Sequence, residues 1–174
     1  MNISGFRSQL QGGARPNQFR LLLSFPVAVV GGTDASRAGE YLVEATQLPG
    51  STVGVANAMY RGRRIPLSGD MQFQPWTCTV VNDSGFTIRN AFENWMNMMN
   101  NYTDASGVLD PALYSSDINV QQLDRNDNVL YQYFLRSAWP NQVDPVNLSF
   151  ADNDNLERFN VTFEYVNFDN PSVQ

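Results

Sequence analysis

Three arginines fall within four positions, at Arg61, Arg63 and Arg64. A guanidinium group is a planar fork that grips a carboxylate or a phosphate through two parallel hydrogen bonds. On an extended segment side chains alternate, which puts Arg61, Arg63 and Ile65 on one face and Arg64, Pro66 and Ser68 on the other. The chain carries a formal net charge of -6 and contains no Lys. That balance favours pairing with carboxylates of a neighbouring subunit over a phosphate-binding patch. Arg15 and Asp70 are further candidates for contacts between subunits or rings.

The remaining polar clusters offer less. Asp124, Asn126 and Asn128, and again Asp152 and Asp154, imitate the opening of a calcium loop, but neither has the glycine at the sixth position or the distal glutamate. Such residues in hairpin turns bond their own backbone, so no metal and no cofactor is assigned. The chain has no His and one Cys, Cys78. Serine and cysteine triads, histidine zinc sites, P-loops and Schiff bases are thereby excluded. A glycosidase would require two acids facing each other across a cleft, and the acids here fall mostly in turns. No enzymatic activity is expected. Trp76 and Trp95 lie in strongly periodic segments and read as core, leaving Trp139 beside Pro140 as the open case. Met96, Met98 and Met99 read as adaptable packing.

The elements that must carry these residues read as mainly β. The first fifteen or so residues are polar and Gly-rich, and residues 1–13 form an arm expected to order only against a neighbour. A first strand runs from Asn17 to Val30 with Phe19, Leu21, Leu23 and Phe25 on one face. Gly31-Gly32-Thr33-Asp34 opens a polar loop, Tyr41 to Leu48 resumes as a strand, and Thr52 to Ala58 leads into the arginine segment. That segment joins a strand over Trp76, Cys78 and Val80 at Gly69-Asp70. Asp83 or Ser84 then caps a helix over 84–102, whose Ile88, Ala91, Phe92, Trp95 and Met99 recur at helical spacing.

Residues 103–116 read as a loop, followed by a hairpin of Ile118 to Leu123 and Val129 to Arg136. A turn is expected at Trp139-Pro140. A last pair sets Val146, Leu148 and Phe150 against Phe159, Val161, Phe163 and Tyr165, around a turn at 152–155. The expected core comprises Phe19, Leu21, Leu23, Trp76, Val80, Ile88, Phe92, Trp95, Phe159, Val161 and Phe163. The 174 residues suit one domain, a small barrel or sandwich of antiparallel strands with one flanking helix. A lone Cys and a start without an apolar signal-peptide core suggest synthesis in a reducing compartment, and no apolar run approaches membrane-spanning length.

The order of these pieces resembles the tail tube proteins of contractile-tailed bacteriophages. The carrying residues are Ala14-Arg15-Pro16-Asn17, Ala45-Thr46-Gln47-Leu48-Pro49-Gly50, Gly69-Asp70 with Phe73, and Trp76 through Asp83. Trp139-Pro140, Asp152 to Asn155 and Phe159 to Phe163 complete the series. The resemblance implies hexameric rings stacked into a hollow tube, with the sheets of neighbouring subunits joined around the lumen. It also implies a contractile sheath, a baseplate and a tail terminator as partners, with tape measure protein and DNA inside. The place implied is the virion, after synthesis in the host cytoplasm. Two rivals stand beside it. One is the inner tube of a phage-derived injection particle or type VI secretion system, with protein cargo. The other is a carbohydrate-binding β-sandwich.

Overall fold

A computed structural model describes residues 2–10 and 12–171. The chain runs α1 (Ile3–Leu10), β1 (Phe19–Leu22), α2 (Gly32–Leu42), β2 (Val43–Thr46), β3 (Ser51–Tyr60), β4 (Arg63–Phe73) and β5 (Trp76–Val81). It continues as α3 (Thr87–Met99), α4 (Pro111–Tyr114), β6 (Ser116–Leu123), β7 (Val129–Val143), β8 (Arg158–Glu164) and β9 (Asn167–Asp169). The fold is mainly antiparallel β. Seven strands form one sheet in the order β1-β6-β7-β8-β5-β2, with β9 also paired to β7, and β3 and β4 form a separate two-stranded sheet. The large sheet does not close into a barrel, because β1 and β2 remain as edges.

Strand periodicity explains the sheet. Trp76, Cys78 and Val80 of β5 register against Phe163, Val161 and Phe159 of β8, and all six are buried. Their neighbours Thr77 and Thr79 face the other side, where Thr77 meets Thr162 and Thr79 donates to Asn160. Helix α3 lays Ile88, Ala91, Phe92 and Trp95 on the apolar face. Phe92, Trp95, Phe163 and Phe25 there form a ring cluster with centroids 5.0 to 6.4 Å apart. Leu21, Leu23, Ile118, Val120 and Leu135 extend the same core, and Phe19 packs half-buried at its margin. Burial pushes the Cys78 thiol up to about 12, so it behaves as a small apolar group.

Several expectations are corrected. The stretch from Gly31 to Asp34 is not a polar loop but the start of a second helix, α2, which packs on α3. Its glycines serve close approach. A Cβ on Gly39 would lie 3.0 Å from Leu23 Cδ1, and one on Gly32 would lie 2.8 Å from the Phe25 Cβ. The strand expected from Tyr41 is therefore only Val43–Thr46, and the first strand is only Phe19–Leu22. Residues 3–10 of the arm are helical. The 103–116 stretch contains α4, and Gly107 presses on the end of α3, where a Cβ would fall 2.0 Å from the Met99 carbonyl oxygen.

Trp139-Pro140 does not turn the chain but lies within β7. A bulge with Ser137 at φ 51° lets β7 leave β6 and β9 and continue along β8, and the register shifts again after Pro140, where proline's missing donor is tolerated. Finally, Val146 to Phe150 form no strand. Leu148 and Phe150 are exposed, and β5 and β7 already occupy both edges of β8.

Helix α3 starts at Thr87 rather than at residue 84, and Asp83 fastens it. Its carboxylate accepts hydrogen bonds from the Thr87 amide at 2.8 Å and the Thr87 hydroxyl at 2.7 Å. The side-chain bond to Thr87, aided by backbone amides and opposed by desolvation, holds the Asp83 pKa below its ordinary value. A depressed folded pKa means stability that is present above the unfolded pKa and is lost as pH falls through the folded one. Asp83→Ala should cost about 1 kcal/mol in urea denaturation at neutral pH. The gap to the parent chain should shrink below about pH 4, and a gap independent of pH would refute the charged cap.

Candidate assembly interface

The sequence expectation that Gly69-Asp70 is the junction between the arginine segment and the Trp76 strand is overturned. Arg61-Gly62 is the turn, Tyr60 registers against Arg63, and both turn residues have positive φ, 48° and 79°. Two left-handed residues make the tight turn whose twist matches a hairpin. Its usual sequence signal is Asn-Gly or Asp-Gly, so Arg-Gly was easy to miss. Gly69 instead lies inside β4, facing Gly54 across a register shift, where a Cβ would come within 3.0 Å of the Gly54 carbonyl.

Among the described residues the resulting hairpin pairs with no other strand. Phe73 anchors its base, with ring contacts to Tyr165 at 6.0 Å and Phe168 at 5.4 Å. Beyond that anchor one face carries Ala56, Ala58 and Tyr60 beside Leu67, Ile65 and Arg63, and the other carries Val55, Asn57 and Met59 beside Ser68, Pro66 and Arg64. Val55, Met59, Tyr60, Ile65, Leu67 and Met71 are all exposed. An apolar strip of Ala56, Ala58, Tyr60, Ile65 and Leu67 on one face, with Val55 and Met59 exposed on the other, is unusual for a soluble monomer and marks a contact site.

The three arginines gather at its tip. Arg64 Nε donates to Asn57 Oδ1 at 2.5 Å, and the Arg61 guanidinium lies 5.4 Å from the Tyr60 ring centroid. None of the three joins an ion pair among the described residues. The other two candidates stand apart from them. Asp70 is exposed near the hairpin base, about 20 Å along the strand from Arg64 at the rise of an extended chain. Arg15 lines a surface hollow with Leu10, Gln18, Asp124 and Leu130, and its carbonyl accepts from Gln122 Nε2 at 2.6 Å.

Two further surfaces expose apolar side chains, the first within the 1–13 arm expected to order against a neighbour and the second not singled out in the sequence as a site. Helix α1 exposes Ile3, Phe6 and Leu10 along one face, has no acid in its first turn and buries none of its residues. Its spacing of three and four residues was the available signal. Residues 144–157 expose Leu148, Phe150 and Leu156.

The remaining clusters resolve into local structure. The Asp124 carboxylate accepts from the Asn126 and Asn128 amides and from the Asn128 side chain, and these bonds lower its pKa. Among the described residues no group of three acids or cysteines is placed to hold a metal. Trp76 and Trp95 are buried, each indole donating to a backbone carbonyl, of Gln47 and Tyr114 respectively. Trp139 is half-buried edge-on to Tyr114. No described helix is long and apolar enough to cross a membrane.

An open antiparallel sheet backed by two helices, with exposed apolar side chains on a protruding hairpin, presents a surface suited to contact with other protein chains. A sequence model described as phage tail tube protein matches residues 14–170, and the chain belongs to that family. It is 26% identical over 166 residues to the tail tube protein of Serratia phage KSP90, covering 94% of this chain and 93% of that one. To the tail tube protein of Enterobacteria phage T4 it is 27% identical over 150 residues, 86% of each chain.

Solved structures of like fold include a chain of the PVC extracellular contractile injection system sheath-tube complex. It has a TM-score of 0.62 at 12% identity, covering 93% of this chain and 95% of that one. A chain of the anti-feeding prophage tube-terminating cap gives a TM-score of 0.62 at 12% identity, covering 90% and 89%. This is a phage tail tube protein, a structural component of the virion.

Proposed function

We propose that copies of this chain close into hexameric rings that stack into a hollow tube, which sits inside a contractile sheath and conducts DNA into the host. The observation that carries the reading is the β3–β4 hairpin, with an exposed apolar face and without a partner strand among the described residues. The open edges β1 and β2 support it, since unpaired edges become joints when a ring closes. The role is structural and involves no catalysis. Sheath, tail terminator and baseplate are the proposed outer partners, and the like-folded chains from a sheath-tube complex, a tube-terminating cap and a baseplate support that choice. Tape measure protein and DNA are the proposed contents, and a Lys-free chain of net charge -6 suits a wall past which a polyanion slides. Synthesis is placed in the host cytoplasm.

A tube that delivers protein instead of DNA is the second reading, favoured by the fold shared with the PVC and anti-feeding prophage chains. Neighbouring capsid and terminase genes would decide for DNA. The carbohydrate-binding reading loses two of its three tryptophan platforms, because Trp76 and Trp95 are buried.

Negative-stain electron microscopy at rising protein concentration, with light scattering on the same samples, tests the assembly. Hollow rings or tubes are expected. A monomer that persists even with a baseplate nucleus overturns the reading. Residues 1–13 are proposed to lock successive rings through the exposed apolar face of α1. Deleting them should leave rings without tubes, and normal tubes from the shortened chain would refute that role.

A further inference from the structure

The hairpin is the basic element of an acidic chain. Between Ser51 and Phe73 there are three arginines and one acid, Asp70, and those arginines have no carboxylate partner among the described residues. The segment from Pro145 to Glu157 has the complementary chemistry. It contains Asp152, Asp154 and Glu157 and no arginine, and it exposes Leu148, Phe150 and Leu156 at 85%, 106% and 67%. None of its acids joins an ion pair among the described residues. The next arginine, Arg158, is already committed to Glu44, with its Nη2 donating to Oε1 at 3.1 Å. One surface is apolar and cationic, the other apolar and anionic, and among the described residues neither meets an opposite charge: the Arg64 side chain bonds only Asn57, that of Asp152 only Asn155 and that of Glu157 only Asn82.

We infer that the tip of the β3–β4 hairpin docks on the 145–157 loop of a second copy of this chain. The inference rests on the tube reading and names the two surfaces that join in it. Arg61 at the turn and Arg63 meet Asp152 and Asp154 at the rim, while Ile65, Leu67 and Tyr60, on the same face as Arg63, cover Leu148 and Phe150. Rim charges of opposite sign steer the encounter and fix its register, and the apolar centre supplies the burial. A contact between two different patches of one chain is heterologous, so it repeats from copy to copy and generates rings or stacks. The loop's lack of regular structure fits a segment that takes its final shape against a partner.

The lone cysteine makes the test specific. Cys78 is buried, so a thiol introduced at the surface reports only on its own neighbours. Chains carrying Arg63→Cys together with Asp152→Cys, or Arg63→Cys together with Asp154→Cys, are assembled and then oxidised, position 63 lying on the same face as Ile65, Leu67 and Tyr60. A ladder of disulfide-linked oligomers on a non-reducing gel is the expected result. Tubes that form normally but give no ladder with either pair overturn the docking while leaving the tube reading intact, whereas a parent chain that forms no tubes even with a baseplate nucleus overturns the reading beneath it.

Charge reversal supplies the second measurement. The triple change R61E/R63E/R64E should raise the concentration needed for assembly by about tenfold or more. Adding D152R/D154R to the same chain should restore it. Assembly unaffected by the triple change, or not rescued by the double one in a chain with native circular dichroism, refutes the pairing.

Discussion

Replacing Ile65 and Leu67 together by Asp should leave a folded subunit that no longer forms rings or tubes. Both side chains are solvent-exposed, at 44% and 54% of their full accessibility, and they sit on a two-stranded sheet that pairs with no other strand among the described residues. Surface changes away from caps and cores usually move stability by no more than about 0.5 kcal/mol, so the urea midpoint of the monomer should hardly change. Assembly is a different matter. Both residues lie on one face of β4, flanked by Ala56 and Ala58 of β3, in the centre of the surface proposed to be covered. Two uncompensated carboxylates buried there would cost about 3 kcal/mol or more each, a loss of at least about a hundredfold in affinity for each contact. Light scattering and electron microscopy of the variant should show monomers at concentrations where the parent chain assembles. Normal tubes would mean that this face of the hairpin points to solvent in the assembly.

Trp95→Ala should produce the largest loss of subunit stability, about 3–5 kcal/mol. Trp95 is 1% exposed, contacts Phe25, Phe92 and Phe163, and donates from its indole to the Tyr114 carbonyl at 2.6 Å. It therefore joins α3 to the sheet and also ties down α4. Truncation leaves a cavity among aromatic rings and an unpaired carbonyl, and the two costs add. Against a total of about 5–15 kcal/mol for a domain, such a loss approaches unfolding. Trp95→Phe keeps most of the packing and loses the hydrogen bond, so it should cost about 1–2 kcal/mol. Urea denaturation of monomeric subunits, followed by far-ultraviolet circular dichroism, measures both. An alanine variant within 1 kcal/mol of the parent would show that Trp95 is not a keystone of this core.

Much of this architecture was legible because a period-two or period-3.6 apolar pattern has few solutions. Trp76, Cys78 and Val80, like Phe159, Val161 and Phe163, could only be one face of a strand, and Ile88, Phe92 and Trp95 only one face of a helix. The same reasoning misread Gly31 to Gly39, because glycine signals a loop by default. Here Gly32 and Gly39 belong to a helix that must approach Phe25 and Leu23 closely, and nothing local in the sequence states that requirement. The alternation at Val146, Leu148 and Phe150 misled in the opposite direction. A strand needs a free edge to pair with, and both edges of β8 were already taken.

By itself, then, the sequence determined the class of the fold, the strands around Trp76 and Phe159, the helix around Phe92, and a chemistry without His or Lys. These follow from local periodicity and residue type, which act within a few positions along the chain. The tertiary structure decided which strands became neighbours, that β7 crosses between partners at Ser137, and that the arginines stand at the tip of an unpartnered hairpin. Those outcomes depend on competition among distant segments for the same hydrogen-bonding edges and the same apolar surface. That competition is resolved only when the whole chain packs at once.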